Sequence, residues 1–415
     1  MSYPMSGWHT PWMLGCIDNA LKGNCKMRIR LQFIRPVFID AQHIREDVIK
    51  TMTVADANIL EGAVNIEATT TAPTRQLDVS FLDENDEYDL GTSSSYTLLN
   101  PEMMIQVYYE IHVPEFAPEN GGYVWFPIFR GHISRVEKRQ TEVKISALSK
   151  DARYMEPCLH SPQLGQTKQL WKGLLLTDAI RYMLGVKGEQ MYRMPNFPER
   201  LRNDVYVRWD DVPWAVCQKL AYAFGMNLYF DGMGYCTLRR NDWNTIDYEL
   251  DGQMLVDFPT RNMDFGELIN LVVFLGFKPE KGTQIRAVAR NQNNPLDHQY
   301  IKQWKVEVIE NSNVKQQSMA QELANRALAE KQQSTFTVSA NAMVVPSLEE
   351  YDMIRIRDPI RYGLPGHPDG GTVSTFKVGQ LTIPLDNKTP MTINKEYPFS
   401  YKLKSYYKKG RNPYR

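Results

Sequence analysis

Between Met27 and Ala147 the chain keeps returning to a period of two, and no helix can satisfy that period. Met27-Arg28-Ile29-Arg30-Leu31-Gln32-Phe33 alternates apolar and polar residues. The pattern recurs in Val64 to Thr70, Leu77-Asp78-Val79-Ser80-Phe81, Met104 to Ile111, Tyr123 to Phe129 and Val143-Lys144-Ile145-Ser146-Ala147. Successive side chains of a strand point to opposite faces, so each run predicts a strand with one face in a core and one face wet. Gly, Pro and acidic clusters separate the runs, as in an antiparallel barrel or sandwich. Residues 25–156 are therefore expected to form a β-barrel domain. An N-terminal arm, 1–24, precedes it, with a short helix around Trp12 to Leu21.

The pattern changes near Glu156-Pro157. Thr177 to Leu184 predicts a short helix with Thr177 as N-cap and Gly185 just past its end. A second helix has Asp211 near its cap, Pro213 in the first turn, and Trp214, Cys217, Leu220, Ala221 and Phe224 on one face, with Gly225 stopping it. A hairpin follows, Met226 to Phe230 and Tyr235 to Arg240 around Asp231-Gly232-Met233-Gly234. Residues 157–243 thus read as a small α/β insert.

β character resumes over 244–400. The run from Glu267 to Pro359 predicts strands at 268–277 and 284–289, a polar turn at Asn291 to Pro295, a helix from Ser318 to about Gln332 and a strand from Thr335 to Ala340. It closes on Ser347 to Pro359 and reads as part of a barrel that packs against copies of itself. Ser318 and Gln321 form a capping-box pattern, and Met319, Leu323, Ala324, Ala327 and Leu328 make an apolar stripe expected to pack on the neighbouring sheet. A Pro/Gly-rich loop, Pro359 to Gly371, precedes the last strands, and residues 401–415 form a tail of interleaved basic and aromatic residues. The plan is mainly β with an α+β insert: β, then α/β, then β.

Lysine plus arginine equals aspartate plus glutamate, 48 each in 415 residues. A protein that holds nucleic acid electrostatically carries a basic excess, which this chain lacks. The C-terminal tail fits stacking on single strands, but against a neutral whole it reads better as a docking or disordered tail. Cys16, Cys25, Cys158, Cys217 and Cys236 contain no C-x-x-C pair, so free thiols are expected. The seven histidines lack the i, i+4 pairing of zinc hydrolases. The acidic loop 83–89 has oxygen ligands at alternate positions, but Tyr88 stands where a calcium loop wants glycine, and a solvated turn is expected. Asp231-Gly232-Met233-Gly234 lies between strands rather than before a helix, so it is a hairpin turn and not a phosphate cradle. No nucleophile elbow, zinc-hydrolase or P-loop signature occurs. No catalytic, cofactor-binding or metal-binding residues are predicted, and no cofactor is expected. The N-terminus does not read as a signal peptide, no stretch approaches the length of a membrane span, and no membrane insertion by this chain is expected.

Several segments together resemble the tail-hub, or minor tail (tail tip), proteins of tailed bacteriophages, the group related to the baseplate hub of contractile tails. Cys16 to Asn24 followed by Arg28-Ile29-Arg30-Leu31 is similar to the opening helix and first strand of long-tailed phage minor tail proteins. Gly62 to Ile66 with Arg75 to Asp83 resembles the strand pair that ends in an acidic turn. Phe129-Arg130-Gly131-His132-Ile133 with Val143 to Ala152 is similar to the family's G-x-I strand and its successor, Asp211 to Arg240 to the helix and hairpin of the insert, and 267–359 to the second barrel. The resemblance implies two tail-tube-like β-barrel domains, 25–156 and 244–400, flanking the α/β domain. It implies a homotrimer whose six tube-like domains continue a six-fold tube into a three-fold tip. The implied partners are the tail tube protein, the distal tail and tip or fibre proteins and the tape measure protein. The implied place is the virion tail tip or baseplate, after assembly in the host bacterial cytoplasm. Phage DNA would pass through without specific binding, which suits a neutral conduit. Unlike many tip proteins, this chain ends soon after its last strand, so wall cleavage and receptor binding are expected of other subunits. The alternatives are a hexameric tube or distal-tail protein and a tip-associated cell-wall glycan hydrolase.

Overall fold

The computed structural model describes residues 11–22, 26–38, 44–53, 59–68, 73–83, 103–116, 120–156, 168–240 (except 196, 209 and 210), 245–263 (except 251 and 258), 268–357 (except 281, 292–296, 313 and 335) and 373–395 (except 387 and 388). The described residues form two compact units, one from residues up to Arg261 together with Val338–Glu396, the other from Asn262–Thr337.

The larger unit opens with helix α1 (Pro11–Lys22), then β1 (Met27–Phe38), β2 (Ile44–Thr53), β3 (Ile59–Glu67), β4 (Arg75–Leu82), β5 (Met104–His112), β6 (Tyr123–Arg139) and β7 (Glu142–Ser149). The insert holds β8 (Lys168–Leu170), α2 (Leu176–Gly185), β9 (Tyr192–Arg193), β10 (Val205–Val207), α3 (Pro213–Ala223), β11 (Met226–Phe230) and β12 (Cys236–Arg240). Next come β13 (Tyr248–Leu250) and β14 (Thr260–Met263). The smaller unit contains β15 (Leu271–Leu275), β16 (Arg286–Arg290), α4 (His298–Ile301), β17 (Val306–Glu310) and α5 (Gln317–Ser334). The chain then returns with β18 (Phe336–Ala342), β19 (Met353–Arg357), β20 (Val373–Pro384) and β21 (Met391–Lys395).

The protein is mainly β, as the alternation predicts. One sheet runs β14-β18-β21-β20-β3-β4-β7-β6-β5-β1-β2, with β19 pairing β20 and β13 pairing β19. The two β regions of the sequence meet within it, because β20 pairs antiparallel with β3 from Gln380↔Glu67 to Pro384↔Ala63. The 267–359 run divides: its first strands and its helix belong to the smaller unit, and its closing strand β19 belongs to the large sheet. Inward residues of β1, β4, β5 and β7, such as Leu31, Phe33, Leu77, Phe81, Val107 and Ile145, share one core with Ile354, Phe376, Leu381 and Ile393 of the returning strands. A second core lies in the insert, around Trp214, Phe230, Leu220, Ile180 and Leu184.

In the smaller unit β15 is central, antiparallel to β16 and parallel to β17. Leu323, Ala324, Ala327 and Leu328 of α5 are buried as the stripe predicts. Covering two leucines there contributes about 2 kcal/mol each.

Local expectations differ from the structure at three caps. Helix α2 starts at Leu176 with Leu175 as N-cap rather than Thr177, because the Leu176 amide bonds to the Glu199 carbonyl and fixes the entry one residue earlier. Before α3, Asp211 turns back to accept from the Arg208 amide at 2.8 Å, leaving Val212 as the cap. The Ser318–Gln321 box does not form. Helix α5 already begins at Gln317, and the Gln321 amide donates to the Val288 carbonyl and to Asn325 Oδ1, at 3.0 Å each. Gly225, with φ of 72°, ends α3 as predicted. Strands β2 and β17 lie outside the predicted strands. The polar turn at 292–295, the Pro/Gly loop, the 401–415 tail and most of the 83–89 loop lie outside the described residues.

Candidate functional site

Charge placed inward on an otherwise apolar strand marks the most unusual locus in the larger unit. In β4, Arg75 shares the inward parity of Leu77, Val79 and Phe81 and is 1% exposed. Its Nε donates to the Phe230 carbonyl and its Nη1 to the Ile128 carbonyl, both at 3.0 Å. Nη2 meets two carboxylates, Glu350 Oε2 at 2.6 Å and Glu349 Oε2. One guanidinium therefore joins β4, β6, the insert strand β11 and the turn before β19. A planar fork of donors is suited to such a junction, where a lysine would make fewer directed bonds.

That turn is itself tightly specified. Tyr351 holds a positive φ of 67°, its amide donates to Val378 at 3.0 Å, and its ring lies 5.6 Å from that of Tyr229. Asp352 accepts from the Glu349 amide at 2.9 Å and from Arg239 at 2.5 Å. Arg239 also bonds Asp247 at 2.5 Å, so a second arginine ties insert strand β12 to the returning strands. Glu350 is fully buried and its Oε1 meets no hydrogen-bond donor among the described residues. Burial pushes its carboxyl up to about 7, against the opposing pull of Arg75.

Two further buried clusters lie near the junction, one within the first β region and one that holds the insert on it. Asp151, also fully buried, accepts from the Thr74 amide at 2.7 Å and from the Ser149 hydroxyl, and burial raises its carboxyl above the ordinary range. Lys150 donates to Glu189 at 2.8 Å, and Tyr154 donates to the other oxygen of Glu189 at 3.0 Å. Burial lowers the Lys150 ammonium. The hairpin turn joins in: the Gln106 amide donates to the Gly232 and Phe129 carbonyls at 2.8 Å. Asp231 braces that turn by accepting from the amides of Met233 and Tyr235 at 3.0 and 2.9 Å.

This constellation is built to hold parts together. Every charged group named has an oppositely charged or hydrogen-bonded partner, and none pairs a nucleophile with a base at an open cleft. Among the described residues no group of three His, Cys, Asp or Glu side chains could hold a metal ion. No described helix is long and apolar enough to cross a membrane. The described cysteines, Cys16, Cys217 and Cys236, are free and buried. Of the acidic loop, Asp83 is described and pairs with Lys138 at 3.0 Å.

No family model matches the chain, and no curated protein matches it either. Solved structures do. The 43 kDa tail protein of prophage MuSo2 from Shewanella oneidensis aligns with TM-score 0.55 at 11% identity, covering 89% of this chain and 98% of that one. A tail protein from Neisseria meningitidis MC58 aligns with TM-score 0.53 at 11% identity over 89% and 96% of the two chains. Prophage tail protein gp18 from Listeria monocytogenes EGD-e gives 0.51 at 10% identity over 89% and 94%. Across nearly nine-tenths of its length, the chain has the fold of these tail proteins.

Proposed function

We propose that the chain is a structural protein of a bacteriophage-type tail, acting as the hub at the distal end of the tail tube. The observation that carries the reading is fold likeness over 89% of the chain to proteins that are themselves described as tail proteins and are matched over at least 94% of their length. The buried ionic junction supports it. A hub needs its β regions and insert held in one arrangement, and directed bonds from Arg75 and Arg239 do that more strictly than apolar packing. The sheet also ends on β2, an edge strand carrying exposed Val48 and Ile49. Unpaired edges are costly in a free protein and useful in an assembly.

In this role the chain works without a catalytic site or cofactor, as a homotrimer. It contacts the tail tube protein above and distal tail, tip or fibre and tape measure proteins around it. It resides in the virion after assembly in the bacterial cytoplasm and lets DNA pass without specific binding. Mass measurement by light scattering coupled to size exclusion tests the stoichiometry. Three copies of the 48.0 kDa chain are expected. A stable hexamer would move the protein to the tube or distal-tail class, and lysis of cell walls by the purified protein would overturn the non-enzymatic reading.

A further inference from the structure

The outward face of β1, β5 and β6, which lie side by side in the large sheet, carries cations and aromatic rings that the buried junction does not use. Across β1 and β5, Arg28 stands opposite Glu110 and Arg30 opposite Tyr108. Across β5 and β6, Glu110 stands opposite Trp125 and His112 opposite Tyr123. Directly paired residues of a sheet share a face, so these side chains form one outer layer. Lys26, exposed just before β1, continues the row, and its carbonyl accepts from the His112 amide at 2.9 Å. Lys26, Arg28 and Arg30 thus follow one another at about 6.6 Å intervals, two strand residues each. Trp125 is 45% exposed beside them.

The two arginines are pinned in place. Glu110 is buried, accepts from Arg28 Nε at 2.5 Å and lies 3.0 Å from Arg30 Nε. The Arg28 guanidinium lies over the Tyr123 ring at 3.8 Å, and that of Arg30 over the Tyr108 ring at 4.5 Å. Tyr108 in turn meets Trp125 edge to face, with 5.4 Å between centroids. With each Nε turned to Glu110, the Nη groups have no hydrogen-bond partner among the described residues, and the two side chains are 35% and 26% exposed. On these rows three cations meet one carboxylate, which lies buried between two of them. The exposed layer is therefore positive, although the whole chain is neutral. Fixed guanidinium donors suit phosphate oxygens, and an open indole suits a planar ring. An extended single strand of nucleic acid offers both at once, whereas a duplex keeps its bases stacked inside.

We propose that this face binds single-stranded nucleic acid without sequence preference, with phosphates on Lys26, Arg28 and Arg30 and a base on Trp125. The binding does not depend on the tail-hub reading. Fluorescence anisotropy of the full-length protein with a labelled oligothymidylate of about ten nucleotides tests it. Three phosphate contacts give a slope of log K against log salt of about −2. Lys26→Gln should bring that slope to about −1.4, as one contact is lost. Trp125→Ala should weaken binding about tenfold, the scale of one stacked base. Neither substitution removes an ion pair. Trp171→Ala, at an exposed tryptophan of the insert, is the control and should leave the affinity unchanged. A duplex of the same length should bind about tenfold more weakly than the single strand, since its bases cannot reach Trp125. No saturable binding at about 50 mM salt would overturn the proposal. So would equal affinity for strand and duplex, an affinity unchanged by Trp125→Ala, or an anionic polysaccharide such as heparin fragments binding as tightly and losing as much affinity in Trp125→Ala, which would make the face a glycan site.

Discussion

Replacing Arg75 with methionine keeps much of the buried volume but removes the guanidinium, leaving Glu349 and Glu350 facing each other with exposures of 2% and 0%. It also strips the Phe230 and Ile128 carbonyls of their donor. Breaking a buried pair by deleting one partner costs about 3–5 kcal/mol. At roughly 2 °C per kcal/mol for a protein of this size, the melting temperature at pH 7.5 should fall by about 6–10 °C. The deficit should also depend on pH. In the native protein the Glu350 carboxyl is pushed up to about 7 from 4.5. The folded state therefore binds this proton more tightly than the unfolded chain. The group's contribution to stability is complete below pH 4.5 and is lost as pH rises through about 7, a difference of about 3 kcal/mol. Without Arg75 the Glu350 carboxyl loses the pull that opposes burial and favours the protonated form more strongly still, so the deficit of Arg75→Met should shrink as pH falls toward 4.5. Denaturant titrations of wild type and variant at pH 5, 6, 7 and 8 measure it. The triple variant Arg75→Met, Glu349→Leu, Glu350→Leu should recover most of the loss, since apolar replacement of a whole buried ionic cluster is often neutral. A deficit below about 1 kcal/mol at pH 7.5, the scale of an exposed pair, would refute the reasoning. So would a deficit of the same size at every pH.

Gly131→Ala places a Cβ against the Leu148 carbonyl where β6 pairs with β7, so the strands must separate and soluble yield should collapse; normal expression with an unchanged melting temperature would contradict this. Leu323→Asp puts a carboxylate at a site 4% exposed between α5 and its sheet, and should destabilise the smaller unit by at least about 3 kcal/mol, seen as rapid proteolysis within 262–337. Gln106→Leu removes the donor shared by Gly232 and Phe129 and should cost about 1–3 kcal/mol, with hydrogen exchange rising first in the 231–234 turn.

The strands most legible in the sequence are those with one wet face, because burial then imposes a visible period of two. β7 alternates buried and more exposed residues over Val143 to Ala147 as its sequence alternates apolar and polar. Strand β2 escapes because it is the sheet's edge: Val48 and Ile49 are both exposed, so no single parity is selected. The capping box at Ser318 fails for a tertiary reason, since Gln321 gains more from the Val288 carbonyl than from the helix end. The junction itself left one signal, an arginine on the inward parity of Leu77, Val79 and Phe81. Its partners were not legible, because Glu349 and Glu350 lie 274 and 275 residues further on. The pairings of β4 with β3, β3 with β20 and β20 with β19 bring them near.

The cost of the junction bears on what it is for. Desolvating an arginine and two glutamates takes several kcal/mol per ion, and a packed apolar cluster would hold the same segments at least as firmly. What apolar packing lacks is direction. Leucines tolerate sliding by a few tenths of an ångström, whereas Arg75 must reach two carbonyls and two carboxylates at once. Arg239 must likewise reach Asp247 and Asp352 together. A protein whose only task is to stay folded gains little from that strictness. One that must present edges in fixed register to neighbouring copies gains much, because an angular error at the junction grows with distance from it. The triple apolar variant separates the two roles: if it keeps the stability but loses the oligomeric state of the wild type, the buried charges serve arrangement rather than folding, and if both survive, that reading of the junction is wrong.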